Sequence, residues 1–250
     1  MKAKGVLVII LMLGLLVGCG TSGGRTEAGG GQAAGNTANS AAAPYGGPES
    51  KAINIIFTNE RELALTFNGM ADKETMEQLL DVLDSCGIKA TFFLPGMRVA
   101  EEPDIAQEIK SRGHEIENNT LNRVDLSKLT YAQTYNEIKL SGDVIAKKTG
   151  VIPHYVRTTS RDFTDQVRLA AAQSGHEAVI GSSLYLHNWH NETEEEKAKL
   201  VRTFIHHGGI FALDTEDRPD LNETVKLVAD CVRKQEYAFV TLNQLMQDGE

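Results

Sequence analysis

From residue 51 onward, short apolar runs alternate with segments whose apolar residues recur at helical spacing. One such segment carries Met76, Leu79 and Leu83 on a single face, which predicts an amphipathic helix that begins near Asp72. The apolar runs predict strands. The strand candidates are residues 53–58, 62–67, 90–94, 115–118, 154–157, 178–182, 210–214 and 237–241.

Five predicted helices meet a glycine shortly before the next strand. These glycines are Gly87, Gly113, Gly150, Gly175 and Gly208. A glycine at a helix end adopts the left-handed conformation without a Cβ clash. The repeated order of helix, glycine and strand predicts parallel strands joined by crossover helices. About seven such units are enough to close a barrel. Periodicity alone leaves an open doubly wound sheet as the alternative.

The first 18 residues have the features of a targeting segment. Lys2 and Lys4 precede an apolar run over 6–17, which is shorter than the about 20 residues that span a bilayer. The run ends in Leu-Val-Gly before Cys19, and this resembles the bacterial lipobox. The resemblance implies a lipoprotein signal peptide over 1–18, cleavage before Cys19 and lipid on its thiol. The alternative is an ordinary signal peptide followed by an incidental cysteine.

Residues 19–50 are mainly Gly, Ala, Ser, Asn and Thr after Cys19. Such a composition buries too little apolar surface to fold. We therefore expect a disordered tether that spans on the order of 30 Å and holds the domain over 51–250 outside the cell membrane. The expected location is extracytoplasmic, with a lipid anchor.

Charge and cysteine content narrow the function classes. The formal net charge of −9 argues against nucleic acid as a partner and against a polybasic membrane patch. After Cys19 only Cys86 and Cys231 remain. They are either two core thiols or, if the first and last helices of a closed ring are neighbours, a disulfide bridge.

Three strand and loop sequences resemble one known family. Residues 63–69 read Leu-Ala-Leu-Thr-Phe-Asn-Gly, residues 90–96 read Ala-Thr-Phe-Phe-Leu-Pro-Gly, and residues 113–116 read Gly-His-Glu-Ile. Together, and in this order, they resemble the polysaccharide deacetylase family, also called the NodB-homology family or carbohydrate esterase family 4. The resemblance implies a distorted (β/α)7 TIM-like barrel. It also implies metal-dependent removal of acetyl groups from chitin-like or peptidoglycan sugars.

The chain departs from this family at the positions that carry the chemistry. Asn68 stands where the family has its catalytic base, and Gly69 where it has a metal-binding Asp. Asn119 and Arg123 stand at the positions of two metal-binding His residues. Asp214 stands at the position of the general-acid His.

The remaining family positions are kept only in part. Arg157 matches the family's Arg that orients the base, but Thr158 and Thr159 follow it in place of the family sequence. Asn188 and Trp189 replace an Asp-Trp pair and keep only its aromatic residue.

These replacements predict the loss of catalysis. A hydrolytic metal site needs about three anionic or nitrogen ligands and an open position for water. An Asn carbonyl is a weak ligand, Gly supplies none, and Arg repels a cation. We therefore expect no cofactor, although the family uses a divalent metal such as Zn, and we assign no catalytic residue.

Three functions remain open from the sequence. The first is a non-catalytic pseudoenzyme, expected to be a monomer, that binds cell-wall glycan or peptidoglycan. The second is an active or residual deacetylase that hydrolyses acetamido C–N bonds, with Asp214 as the only carboxylate left at the family positions. The third is a scaffold that binds a protein. The residues predicted to contact a glycan are Asn68, Asn119, Asn122, Arg123, Arg157, Thr158, Thr159, Asn188, Trp189 and Asp214.

One contact follows from the substitutions themselves. Arg123 and Asp214 stand on neighbouring loops of the expected barrel mouth, so we predict that Arg123 or Arg157 pairs with Asp214, with Asn68 or Asn119 nearby. The alternative is that Arg123 points into solvent.

Overall fold

The computed structural model describes residues 43–160, 163–186 and 192–249. The predicted signal peptide, Cys19 and residues 20–42 of the predicted tether lie outside these ranges, so the domain boundaries and the anchor stay predictions. No helix in the described ranges has the length and apolarity needed to span a membrane.

The described residues form one sheet in which all paired strands are parallel. Its strands are β1 (Lys51–Ile53), β2 (Glu62–Asn68), β3 (Thr91–Leu94), β4 (Glu115–Asn118), β5 (Tyr155–Val156), β6 (Ala178–Ile180), β7 (Leu184–Tyr185), β8 (Gly209–Asp214) and β9 (Ala238–Val240). The order across the sheet is β1-β6-β5-β4-β3-β2-β8-β7, and β9 pairs with β2.

Helices connect most of these strands. They are α1 (Lys73–Cys86), α2 (Gly96–Glu101), α3 (Pro103–Ser111), α4 (Tyr131–Thr149), α5 (Asp165–Gln173), α6 (Glu194–Phe204), α7 (Leu221–Lys234) and α8 (Leu242–Gln247). Polar caps fix where several of them begin. Asp72 accepts the N–H of Thr75 at the start of α1, and Thr130 forms a reciprocal capping box with Gln133 at the start of α4.

The sheet curls into a barrel-like shape, as predicted. Two segments without strand structure, one after β1 and one between β6 and β7, connect the two edges of the sheet. Ile56 donates its N–H to the carbonyl of Gly208 at 2.9 Å. Gly181 donates to Ile53 at 2.7 Å, and Ser183 donates to Ile210 at 2.8 Å. The barrel interior is filled near the amino ends of the strands, where Leu242 and Leu245 of α8 pack under it. The helices cover the outer face of the strands with a larger apolar core.

Some predicted elements differ from the observed ones. The strand predicted at 53–58 is wrong beyond residue 53, because the chain there crosses towards β8 and Ile55 makes only an isolated bridge to Gly209. Strand β7 was not predicted, because two residues carry too little pattern. All five glycines have positive φ, but Gly208 does not cap a helix, since α6 ends earlier at Phe204.

Two further regions bear on the expectations from sequence. The end of the predicted tether, residues 43–50, has no helix or strand but is fixed to the domain: the Ser50 hydroxyl donates to the carbonyl of His176 at 2.7 Å. Cys86 and Cys231 are free thiols, so the structure contains no bridge between them.

Candidate functional site

The carboxyl ends of the strands bring polar side chains to one mouth of the barrel. Register places Asn68 of β2 beside Asp214 of β8, and Asn119 and Arg157 follow β4 and β5. Together with residues of the next loops they enclose a cavity of about 120 Å³. Seven of the ten residues predicted to contact a glycan line it: Asn68, Asn119, Arg123, Arg157, Thr158, Thr159 and Asp214.

Of the other three predicted residues, one lies elsewhere and two are not described. Asn122 lies outside the cavity, where its Nδ2 donates to Glu137 of α4 at 2.7 Å. Its side chain is therefore committed to fixing the loop after β4. Asn188 and Trp189 lie outside the described residues.

Arg157 forms the floor of the cavity and is 3% exposed. Its Nη1 donates to Thr66 Oγ1 at 2.7 Å and to Asn68 Oδ1 at 3.0 Å. Its guanidinium also stacks 4.1 Å from the centroid of the Phe93 ring. Contacts to the carbonyls of Ile180 and Gly181 complete a network that fixes the side chain. These bonds orient Asn68, as the family resemblance implied for the residue at that position.

Asn119 joins the loops on either side of it and is buried. Its Oδ1 accepts the N–H of Gly69 at 3.1 Å, and its Nδ2 donates to the carbonyl of Arg157 at 2.9 Å. Both ends of the amide are thus engaged by backbone groups, which makes Asn119 a structural link at the mouth.

The predicted ion pair between Arg123 and Asp214 is confirmed. Arg123 Nη2 lies 3.3 Å from Asp214 Oδ1, and its Nη1 lies 2.7 Å from Glu216 Oε2. Asp214 Oδ1 also accepts from Asn68 Nδ2 at 3.2 Å, and its Oδ2 accepts from the hydroxyl of Tyr185. Three side chains therefore donate hydrogen bonds to one carboxylate.

Sequence reasoning missed Glu216 and Tyr185. Glu216 lies two residues beyond the family position at Asp214, and its Oε1 accepts the N–H of Met70 at 3.3 Å. A search for partners of Arg123 that extended into the loop after β8 could have found it. Tyr185 lies in the short strand β7, and no pattern in the sequence indicates that this segment pairs with β8.

Gly69 makes room for the guanidinium. It has φ of +82°, and a Cβ at this position would lie 2.6 Å from Arg123 Nη1 and 3.0 Å from Glu216 Oε1. Arg123 itself has φ of +55°, and its carbonyl accepts the hydroxyl of Thr159 at 2.9 Å. The loops after β2, β4, β5 and β8 therefore meet around one arginine.

Two buried polar atoms at the mouth have no hydrogen-bond partner among the described residues. They are the hydroxyl oxygen of Thr158 and the Nε of Arg123. Thr158 is only 3% exposed and lines the cavity. An unpaired buried polar atom is costly, so a ligand in the cavity that forms a hydrogen bond with this hydroxyl would remove that cost.

The chain is similar in sequence to known proteins. Residues 57–179 match the family model described as polysaccharide deacetylase. A peptidoglycan-N-acetylglucosamine deacetylase of Bacillus cereus is 28% identical over 198 residues, which are 76% of this chain and 90% of that protein. The peptidoglycan-N-acetylmuramic acid deacetylase PdaA of Bacillus subtilis is 26% identical over 77% of this chain and 74% of its own length.

Solved structures show the same fold. The structure of Bacillus subtilis PdaA, a family 4 carbohydrate esterase, superposes with a TM-score of 0.69 at 24% identity and covers 79% of this chain and 86% of that chain. A family 4 pseudoenzyme from Bacillus anthracis superposes with a TM-score of 0.72 at 19% identity and covers 80% and 70%.

The comparisons contradict the expectation that no cofactor is involved, because the matched family typically uses a divalent metal. The residues present do not fit such an ion as they stand. Gly69 supplies no ligand, the Oδ1 of Asn119 is taken by a backbone N–H, and the guanidinium of Arg123 fills the adjacent space. In the described ranges, no three His, Cys, Asp or Glu residues are grouped as a metal site requires.

Proposed function

Because the folded domain belongs to the polysaccharide deacetylase family, we propose that this protein binds cell-wall glycan of the peptidoglycan type without hydrolysing it. One observation carries the non-catalytic part of the proposal. Asp214, the only carboxylate at the family's functional positions, accepts hydrogen bonds from Arg123, Asn68 and Tyr185.

The part of the mouth that the structure describes lacks a free general base, which deacetylation needs. A general base contributes about 10²–10⁴ in rate, and the amide of Asn68 cannot take up a proton. The oxygens of Asp214 face three side-chain donors of the protein. The polar side chains of the mouth therefore form hydrogen bonds mainly with one another.

The choice of a glycan rests on the relatives and on the chemistry of the cavity. Two similar proteins are named as peptidoglycan deacetylases. The cavity of about 120 Å³ is lined by hydroxyls and amides, groups that suit sugar hydroxyls and acetamido groups. It is much smaller than the roughly 300–1,000 Å³ of a typical ligand pocket, so it would take a substituent of a sugar while the ring rests on the rim.

The location of the protein is part of the proposal. A lipid on Cys19 would keep the domain at the outer face of the cell membrane, within reach of the wall. Cys19→Ala is expected to move the protein from the membrane fraction to the soluble fraction. Unchanged partitioning of this variant would argue for another mode of anchoring.

The test is co-sedimentation with purified peptidoglycan, run beside an assay for released acetate with and without added zinc. We expect the protein to sediment with peptidoglycan and release no acetate. Thr158→Val should weaken sedimentation, while the exposed substitution Ile152→Ala serves as a matched surface control. Acetate release would instead support a residual deacetylase. A folded protein that does not sediment with peptidoglycan would support a scaffold that binds a protein.

A further inference from the structure

Two glutamates of β4 point into the barrel below the mouth. Glu115 and Glu117 alternate with outward-facing residues, so their side chains share the interior face of the sheet. Glu117 is 2% exposed, and its Oε2 accepts the N–H of Tyr155 at 2.7 Å. Burial raises the pKa of Glu117 well above its ordinary value, and the charge and hydrogen bond of Glu115 raise it further.

Glu115 connects this interior to helix α8. Its Oε2 accepts the hydroxyl of Thr91 at 2.7 Å and the N–H of Asn243 at 3.0 Å. Thr91 in turn accepts the N–H of Leu242 at 2.8 Å. The first turn of the helix that closes the barrel is therefore bound by β3 and β4. The other oxygen of Glu115, Oε1, is buried and has no hydrogen-bond partner among the described residues.

We infer that Glu117 is a neutral carboxylic acid at neutral pH and donates its proton to Oε1 of Glu115, so that one shared proton secures the contact between β4 and α8. The proton supplies the partner that Oε1 lacks. Its loss leaves two carboxylates side by side in the interior, and their repulsion loosens the contacts of Glu115 with Thr91 and Asn243. This inference is independent of glycan binding, since neither glutamate lines the cavity at the mouth.

Burial and the carboxylate of Glu115 are the main influences on the pKa of Glu117, and the backbone groups of Tyr155 and His154 oppose them. Glu115 lies on the same strand, and Tyr155 faces it from β5, where burial raises the pKa of Tyr155 to about 12. His154, next to Tyr155, contacts the exposed Glu177 just before β6 through its Nδ1 at 3.1 Å. Helix α8 contributes the backbone N–H groups of Leu242 and Asn243 to this region.

The pH dependence has a definite sign. A carboxyl whose pKa is higher in the folded state binds more protons when folded, so the contribution of Glu117 to stability is complete below its unfolded pKa near 4.5 and is lost as pH rises towards the folded pKa. Within this window, one proton reduces the ratio of folded to unfolded protein by up to about tenfold for each pH unit. The amides of Leu242 and Asn243 should lose protection from hydrogen exchange over the same range.

The test compares the parent protein with Glu117→Gln in urea unfolding across this range of pH, because Gln keeps the shape and a hydrogen-bond donor but does not titrate. We expect the stability of Glu117→Gln relative to the parent to rise with pH, while Glu177→Gln, which alters an exposed carboxylate nearby, tracks the parent. An unchanged difference between Glu117→Gln and the parent at all pH values would overturn the inference.

A spectroscopic measurement keeps the inference testable if Glu117→Gln does not fold. Infrared spectra of Glu62→Gln, which removes another carboxyl whose pKa burial raises, should show a protonated carboxylic acid at neutral pH that disappears as pH rises. Absence of that band at neutral pH would show that Glu117 is ionised and would refute the shared proton.

Discussion

Arg123 faces Asp214 across the barrel mouth, with 3.3 Å between Nη2 and Oδ1. The arginine follows β4 and the aspartate ends β8, so the contact joins two strands that are not neighbours in the sheet. Both side chains are partly buried, with 20% and 27% of their surfaces exposed. Removing one partner from such a contact should cost more than it does in a surface ion pair and less than it does in a fully buried one.

Removing the cation should cost more than removing one of its partners. Arg123→Met leaves Asp214 and Glu216 as neighbouring carboxylates, and we expect a loss of about 2 kcal/mol in the free energy of unfolding. Asp214→Asn leaves Arg123 bound to Glu216 and should cost about 1 kcal/mol. Urea unfolding of both variants and of the double variant gives the coupling energy. Additive effects would mean that the two side chains do not interact in solution.

A side chain at position 69 should force the guanidinium of Arg123 to move. In Gly69→Ala, the positive φ costs about 1–2 kcal/mol, and the new Cβ also meets the guanidinium at 2.6 Å. Gly175→Ala is the matched control, because Gly175 has φ of +90° but no atom within 4 Å of the position that a Cβ would take. We expect Gly69→Ala to be the more destabilising in thermal unfolding, and a second substitution, Arg123→Ala, to lessen the difference. Equal losses in the two alanine variants would contradict this steric account.

Thr158→Val should raise stability although it weakens binding to peptidoglycan. Thr158→Val removes a buried hydroxyl that lacks a partner among the described residues, so we expect stability to rise by about 1 kcal/mol. Thr66→Val is the contrasting variant, since the hydroxyl of Thr66 donates to the carbonyl of Phe211 and accepts from Arg157. Its loss should cost about 1–3 kcal/mol. If Thr158→Val is as damaging as Thr66→Val, the Thr158 hydroxyl has a partner in solution.

Acid should weaken the fold through a buried histidine. Burial lowers the pKa of His176 to about 4 from 6.5, so the unfolded chain binds more protons than the folded one between these values. The contribution of His176 to stability is therefore complete above about pH 6.5 and is lost as pH drops towards 4. His176→Gln should reduce the slope of stability against pH in this window, and the exposed His154→Gln should keep it. The slope should not vanish, because burial also lowers the pKa of His114 to about 4.

The sequence predicted the elements that local chemistry determines. The helix start near Asp72 and the left-handed conformation of Gly87 and Gly150 are determined by the chain segments in which they lie, so they could be predicted from neighbouring residues. The family resemblance then distinguished a barrel from an open sheet, which periodicity alone could not do.

The site could be predicted only where one residue determined the contact. Arg123 and Asp214 carry opposite charges on strand ends that converge, so their pairing followed from topology. Glu216 and Tyr185 reach the same cluster through a loop conformation and through a two-residue strand, and neither leaves a periodic pattern. The position of the Asn122 side chain did not follow from the sequence, because the turn after β4 directs it towards Glu137.

The close fit of Arg123 against Gly69 restricts the order in which such a mouth can change by single substitutions. With any Cβ at position 69, an arginine at 123 could not lie where it does, so glycine must be present at 69 before the present arrangement can form. In the reverse direction, a side chain regained at 69 would first meet the guanidinium. A mutational path away from this mouth that begins at Arg123 therefore avoids the contact, whereas one that begins at Gly69 first displaces the guanidinium.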